Sequence, residues 1–361
     1  MDAGLPLGGC GAGSLWSPFP RYMILILTRR CNLACRYCYN GEAQNVDMSF
    51  RVMDRAFELL SGGTGPFHVQ LTGGEPTLVT ELLERAAELT AKLAREGRKG
   101  TLAVQTNATL LDAVLVKDFA KWKVEVGVSL DGSPDVNDKV RGGSGLILNG
   151  LALLSEANIP FNVTTVVSEV NCPSLYELPI FLSTYKTLRG IGLDLLVRKG
   201  TGCLGAPQYK ELKKAIKKMA QTIGMINSMR TRPIAFRELE LVKNSFLKGD
   251  RAHFCEAHKG RSFAVDPTGV LYPCGQAAFD TTLSMGTVFE RDFPKIDLRG
   301  YNLKGPYCEG CLLQGKCPGE CPSRLYFNKG EDPPLVCAIY QALAEELQSS
   351  SPLHPQKKYT N

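Results

Sequence analysis

Short apolar runs alternate with stretches of helical spacing along the first half of the chain. Residues 23–27 form a continuous apolar run, which is typical of a strand buried on both faces of a parallel sheet. Ser49 precedes a stretch of helical spacing at 52–60 and predicts a capped helix there. The pattern also predicts strands at 67–71, 101–105, 124–129, 161–167 and 190–196, and helices at 81–96, 112–122, 145–157, 174–184, 207–223 and 233–247.

This alternation favours an α/β fold in which parallel strands are joined by right-handed helical crossovers. Six strand–helix units make a partial (β/α)6 TIM-like barrel, open on one side, with its chemistry at the carboxyl ends of the strands. From residue 250 the helical periodicity disappears and Cys, Gly and Pro become frequent, which indicates a small domain organised by metal clusters. We divide the chain into an N-terminal extension (1–21), the barrel (22–206), bridging helices (207–249), a cysteine-rich domain (250–348) and a disordered tail (349–361).

Composition and charge exclude several classes of protein. The 361 residues are 44% apolar and 22% charged, as in ordinary globular proteins, and the net charge of +6 does not demand a nucleic-acid partner. No apolar run near the start approaches the roughly 20 residues of a membrane-spanning helix, and the N-terminus does not resemble a signal peptide. We expect a cytoplasmic protein that binds neither nucleic acid nor membrane.

The cysteines carry the first chemical signal. Thirteen of them in a cytoplasmic chain argue against a disulfide framework, and their clustering favours metal or cluster ligation. Cys31, Cys35 and Cys38 form a C-x3-C-x2-C motif directly after the first predicted strand. Three thiolates can hold three irons of a [4Fe–4S] cube and leave the fourth iron open to a chelating ligand. The alternative is a zinc site that lacks one ligand, although structural zinc is normally four-coordinate.

A Gly-Gly-Glu-Pro segment at 73–76 follows the second predicted strand. Glycines allow close backbone approach, and the Glu75 carboxylate can accept from an ammonium group. With the cysteine motif, this segment resembles the radical S-adenosylmethionine (SAM) superfamily, in which the amino-acid end of SAM chelates the open iron. We expect Glu75→Ala to weaken SAM binding more than folding. The resemblance implies SAM contacts by Tyr37, Gly73, Gly74, Glu75, Pro76, Asn107, Ser129, Asp131 and Arg141.

For Ser129, Asp131 and Arg141 a second interpretation has equal weight, because polar residues in turns often serve local hydrogen bonds. Ser129 ends the fourth predicted strand, and Asp131 and Arg141 follow it. The sequence leaves these two interpretations open.

A second cysteine group lies near the C-terminus. Cys255 and Cys274 flank a predicted hairpin around 266–269, and a C-x2-C-x5-C-x3-C run and a last cysteine follow. The arrangement is similar to the SPASM domain, the auxiliary-cluster extension of peptide-modifying radical SAM enzymes. The resemblance implies two auxiliary [4Fe–4S] clusters and therefore three clusters in all; two zinc sites are the alternative. It assigns Cys308, Cys311, Cys317 and Cys337 to the outer set, and Cys255, Cys274 and Cys321 to the inner set.

The inner set is one ligand short of four. Relatives with four ligands have a further cysteine shortly after the first, but the stretch 257–262 contains none. We expect an open iron or a ligand from elsewhere, and Cys203 is the candidate because it follows the last barrel strand. Cys203 is also a candidate catalytic thiol that donates a hydrogen atom to a substrate radical. Otherwise Cys203, Cys10 and Cys172 are small buried hydrophobes.

A basic stripe follows one face of the predicted helix at 207–223. Its usual meaning is a solvated face, and a docking strip for an acidic leader peptide is the weaker alternative. The stripe consists of Lys210, Lys213, Lys214, Lys217 and Lys218.

The resemblance implies a function. A reduced cluster cleaves SAM to methionine and a 5′-deoxyadenosyl radical, which abstracts hydrogen from a peptide or protein substrate, and maturation of a ribosomally made peptide is the leading case. It also implies an electron donor such as flavodoxin or ferredoxin. Because only about twenty residues precede the barrel, leader binding would need a separate protein or another surface.

The sequence also suggests alternatives to peptide maturation. A radical SAM reaction on a small molecule, in tetrapyrrole or redox-cofactor synthesis, is the second interpretation. Anaerobic sulfatase maturation is disfavoured because Gly275 and Gln276, rather than an acidic residue, follow Cys274. A non-catalytic iron–sulfur electron carrier would not need the segment at 73–76.

Overall fold

The six predicted strand–helix units are present in the computed structural model, which describes residues 20–63, 65–200, 202, 204–248, 254–290, 305–329, 331 and 333–350. The strands are β1 (Tyr22–Ile26), β2 (Phe67–Thr72), β3 (Gly100–Thr106), β4 (Glu125–Ser129), β5 (Phe161–Val167), β6 (Leu188–Leu195), β7 (Ala235–Phe236), β8 (Ser262–Val265) and β9 (Leu271–Tyr272). The helices are α1 (Phe50–Ser61), α2 (Thr80–Arg95), α3 (Ala113–Trp122), α4 (Pro134–Val140), α5 (Ser144–Glu156), α6 (Glu177–Leu182), α7 (Tyr209–Met229), α8 (Arg237–Lys248), α9 (Pro322–Phe327) and α10 (Leu335–Ser350).

Local sequence signals explain some of the helix starts. The Ser49 side chain accepts a hydrogen bond from the Val52 amide at 3.3 Å, which confirms the predicted cap of α1. The α4 helix was not predicted; it starts at Pro134, whose fixed φ suits a first helical position, and it is too short for a clear apolar period. The helix predicted at 174–184 is reduced to α6, with a 3-10 turn (Cys172–Ser174) before it.

The strands form one sheet in the order β7-β6-β5-β4-β3-β2-β1-β8-β9. Strands β1 to β6 are parallel to their neighbours, which confirms the predicted α/β partial barrel. The predicted hairpin is also present as the antiparallel pair β8–β9. Strand β8 lies parallel to β1, with Tyr22 opposite Ser262, so the cysteine-rich region continues the barrel sheet at its β1 edge.

Helix α10 packs against both α7 and α8, and α8 also contacts β6. The lysine stripe of α7 is not wholly solvated: Lys213 Nζ lies 2.6 Å from Glu345 Oε1 on α10, and Lys218 Nζ lies 3.2 Å from the ring centre of Tyr176. The alternative of a leader-docking strip stays a prediction. No helix within the described residues is long and apolar enough to cross a membrane.

Candidate active site

A cavity of about 710 Å³ lies at the carboxyl ends of the barrel strands. All three cysteines of the first motif line it, together with Gly73 and Gly74. Strands β1 to β6 each contribute at least one lining side chain, for example Ile26, Thr72, Gln105, Ser129, Thr164 and Asp194. The cavity therefore occupies the position expected for the chemistry of a barrel of this kind.

Backbone hydrogen bonds hold the cysteine loop to the other end of the β1–α1 connection and to α4. The Arg29 amide donates to Val46 O at 2.8 Å, and the Arg36 amide donates to Val140 O at 2.9 Å. Burial raises the pKa of Cys35 to about 11, while the nearby Arg141 charge acts in the opposite direction. The thiol is therefore protonated at neutral pH until a bound metal centre offsets the thiolate charge.

Gly73 and Gly74 bring the loop after β2 into contact with the cysteine loop. The Gly74 amide donates to Thr28 O at 2.8 Å, and the Glu75 amide donates to Arg30 O at 2.9 Å. A Cβ on Gly74 would lie 2.1 Å from Arg30 O, and a Cβ on Gly73 would lie 2.6 Å from Thr28 O. Only glycine allows this approach, so the two loops are held together one residue before Cys31.

The expected contact between the Glu75 carboxylate and SAM does not agree with the placement of that side chain. Glu75 has no exposed surface and, like Pro76, is not part of the cavity lining. Its Oε1 accepts from the Thr77 amide (3.1 Å) and from the Thr77 and Thr106 hydroxyls (2.7 and 2.6 Å), and its Oε2 accepts from the Asn107 amide (2.6 Å). Its carboxylate thus ties the ends of β2 and β3 together, and we assign it a positioning role.

Tyr37, Asp131 and Arg141 form one buried network beside the cysteine loop. Arg141 Nε donates to Asp131 Oδ2 at 3.2 Å, and Tyr37 Oη lies in hydrogen-bond contact with both partners. Although burial disfavours its charge, Asp131 and Tyr37 raise the pKa of Arg141 above its usual value. Arg141 Nη1 also lies 3.6 Å from Cys35 Sγ. A fixed cation therefore adjoins one cysteine of the motif.

The residues at and after the end of β4, which were expected either to contact SAM or to serve local hydrogen bonds, differ in whether they reach the cavity. Tyr37, Ser129 and Arg141 line the cavity, whereas Asp131 does not. Asp131 is fully buried, and its Oδ1 accepts from the Val166 amide at 2.8 Å. For Asp131 the local structural role therefore agrees better with the placement than a contact to SAM does.

Asn107 lines the cavity and also supports the cysteine loop. Its Nδ2 donates to Asn32 Oδ1 at 2.9 Å, and its Oδ1 accepts from the Thr109 amide at 3.0 Å. Ser129 Oγ accepts from Gln105 Nε2 at 2.9 Å, and both side chains line the cavity. These polar groups present donors and acceptors to a bound molecule.

The structure describes all seven C-terminal cysteines of the predicted outer and inner sets. All four thiols of the outer set line a second cavity of about 410 Å³. In the inner set, burial raises the pKa of Cys321 to about 12, and the charges of Cys274 and Cys255 add to this rise. Thiols grouped in this way have the donor chemistry that iron–sulfur clusters require. Within the described ranges, no three or more Cys, His, Asp or Glu side chains converge closely enough to hold a single metal ion.

Three cysteines were not assigned to a cluster-binding motif, namely Cys10, Cys172 and Cys203. Cys172 is 2% exposed and belongs to the main hydrophobic core, which confirms the prediction of a small buried hydrophobe. Cys203 and Cys10 lie outside the described residues. The proposed roles of Cys203 therefore stay predictions.

Arg29, Gln276 and Phe279 are among the cavity residues that sequence reasoning did not identify. The Cys321 thiol donates to Gln276 Oε1 at 3.3 Å, so Gln276 links the inner set to the cavity. The Arg29 guanidinium lies 4.2 Å from the ring centre of Phe279. No local signal identifies these residues, because β1 and the β8–β9 hairpin are brought together only by the sheet.

Comparisons with known proteins agree with this geometry. The family described as the Radical SAM superfamily matches residues 25–171. The AdoMet-dependent heme synthase of Methanosarcina barkeri is 30% identical over 344 residues, which cover 86% of this chain and 94% of the relative. The mycofactocin maturase MftC of Mycobacterium ulcerans is 27% identical over 355 residues, which cover 90% of each chain.

Solved structures show the same fold. Native anSMEcpe with bound AdoMet aligns with a TM-score of 0.75 at 20% identity and covers 91% of this chain and 96% of its own. Its complex with AdoMet and the Kp18Cys peptide aligns with a TM-score of 0.74. The cavity with its three cysteines, the glycine-tethered loop and the full-length relatives lead to one conclusion: the chain is an enzyme that belongs to the radical SAM superfamily, among SPASM-type relatives.

Proposed function

We propose that this enzyme removes a hydrogen atom from a peptide or protein substrate, in the maturation of a ribosomally made peptide, and that it holds three [4Fe–4S] clusters. The observation that carries the proposal is the placement of Cys31, Cys35 and Cys38 around one cavity with Gly73 and Gly74. The cysteine groups fit one SAM-binding cluster and two auxiliary clusters. When bound and reduced, the SAM-binding cluster supplies the electron that cleaves SAM to methionine and the hydrogen-abstracting 5′-deoxyadenosyl radical.

The residues of the chain orient and shield this chemistry. Backbone groups of Gly73 and Gly74, held against the cysteine loop, face the cavity where the amino-acid end of SAM would bind. Arg141 supplies a fixed positive charge beside Cys35, and Asp131 holds that charge in place. Asn107 and Ser129 offer further polar contacts from the ends of β3 and β4. Walls from all six barrel strands limit the access of water to the cavity.

Three observations support a peptide substrate. The relative MftC is named a mycofactocin maturase, and anSMEcpe has been solved with a bound peptide. The inner set adjoins the cavity through Gln276, as expected if an auxiliary cluster exchanges electrons with a substrate bound there. An external donor such as flavodoxin or ferredoxin, and a separate leader-binding protein, complete the proposed system.

A small-molecule substrate is the second candidate. The relative at 30% identity that spans most of both chains is named a heme synthase, which favours a tetrapyrrole. Both candidates share the same SAM chemistry and differ only in what occupies the rest of the cavity.

Deuterium transfer distinguishes the two candidates. Reduced, reconstituted enzyme is given SAM with a perdeuterated peptide encoded beside its gene, or with perdeuterated coproporphyrin III as free base or iron complex. We expect deuterium in 5′-deoxyadenosine with the peptide, since the hydrogen atom moves directly to the radical. Deuterium from the tetrapyrrole and none from the peptide would replace the first candidate by the second.

A further inference from the structure

The Arg29–Phe279 pair lines the same cavity as the proposed SAM contacts. Arg29 follows β1, and Phe279 follows the β8–β9 hairpin, so the β1–β8 pairing brings them together. The guanidinium stacks on the ring at 4.2 Å. This stacking covers one face of the guanidinium and leaves its N–H edge available to a ligand.

The backbone at Phe279 is held in an unfavourable conformation. Its φ of +68° lies in the left-handed region, which bulky side chains rarely adopt. Ala277 and Ala278 before it are buried, and Lys199 Nζ fixes the same segment by donating to Gln276 O at 3.0 Å and to Ala278 O. Strain that the surroundings maintain in this way is concentrated at functional sites. Here it places the ring under Arg29.

Arg29 differs from two other arginines that line the cavity. Arg141 is bound to Asp131, and Arg237 is bound to Glu238 (2.7 Å) and Asp194 (3.1 Å). Among the residues that the structure describes, no acidic side chain forms an ion pair with Arg29. A half-buried guanidinium of this kind is suited to a two-point contact with a carboxylate.

We infer that Arg29, supported by Phe279, binds a carboxylate of the substrate. The inference rests on the proposed function, whose substrate it narrows to a carboxylate-bearing molecule. That carboxylate can belong to an acidic peptide or to the propionates of a tetrapyrrole, and both present the same group to Arg29.

Two pairs of probes test this inference with reconstituted, SAM-loaded enzyme. One pair is a fluorescein-labelled peptide rich in glutamate and its glutamine, C-amidated counterpart, followed by anisotropy. The other pair is coproporphyrin III and its tetra-amide, followed by porphyrin emission. We expect at least one free acid to bind about tenfold more tightly than its amide. Arg29→Gln should abolish that preference, Arg29→Lys should retain part of it, and Arg95→Gln, on the exposed end of α2, should behave as the wild type.

The outcomes distinguish the carboxylate site at Arg29 from the proposed peptide substrate. Tighter binding of the free-acid peptide than of its amide supports a peptide carboxylate as the ligand of Arg29. Tighter binding of the free acid in the porphyrin pair alone supports the carboxylate site but contradicts the proposed peptide substrate. The inference is overturned if neither free acid is preferred, if the preference survives Arg29→Gln, or if that variant loses SAM affinity to the same extent. SAM cleavage by the wild-type enzyme is measured in parallel, because its absence would contradict the proposed function and not the carboxylate site.

Discussion

Replacing Cys31, Cys35 and Cys38 together by Ala is expected to abolish reductive SAM cleavage and to remove one cluster. The three thiols line the same cavity, and no other cysteine of the described chain does. The wild type should bind about twelve irons per chain and the triple variant about eight, since each cube holds four. Iron analysis, electron paramagnetic resonance and 5′-deoxyadenosine formation measure the change.

Cys172→Ala is the matched control, because this thiol is buried in the hydrophobic core and belongs to neither the cavity nor the auxiliary sets. The control should retain the iron content and the SAM cleavage of the wild type. An intact protein with only about four irons would contradict the two auxiliary clusters, and so would zinc bound by the C-terminal cysteines.

The variant Glu75→Ala is expected to lose about 3–5 kcal/mol of unfolding free energy, because several buried donors lose their acceptor at once. The Thr77 and Asn107 amides are the most costly of these donors, since they cannot rotate towards another partner. Burial raises the pKa of Glu75, and the hydrogen bonds from these donors act against that rise. Urea denaturation of the apo protein, followed by circular dichroism, measures the change.

Glu84→Ala provides the comparison, because Glu84 is exposed on α2 and its removal should change stability by less than about 0.5 kcal/mol. If Glu75→Ala unfolds like the wild type and loses only SAM affinity, the carboxylate contacts SAM directly and the positioning role is wrong.

The barrel and the first cysteine motif could be predicted because both depend on local pattern. The apolar run in β1, the Ser49 cap and the short cysteine spacings are each visible within a few residues. The predicted helix and strand bounds agree with the structure to within a few residues in most elements, and α4 was missed because seven residues carry too little periodicity.

The other features of the candidate site depend on contacts between segments that are distant in sequence. The direction of the Glu75 side chain is set by Thr106 and Asn107 at the end of β3. The position of Phe279 follows from the parallel pairing of β8 with β1, and the sequence of neither strand predicts that pairing. Residue type identified Glu75 as important, and only the tertiary structure shows what its carboxylate holds.

Product analysis tests the central claim, that the cavity beside Cys31, Cys35 and Cys38 cleaves SAM reductively. Anaerobically reconstituted enzyme is reduced with dithionite, mixed with SAM and analysed by liquid chromatography and mass spectrometry. The account predicts 5′-deoxyadenosine and methionine in equal amounts, both dependent on reductant and on the three cysteines. An enzyme that holds its full iron content and binds SAM, yet forms no 5′-deoxyadenosine under these conditions, would contradict it.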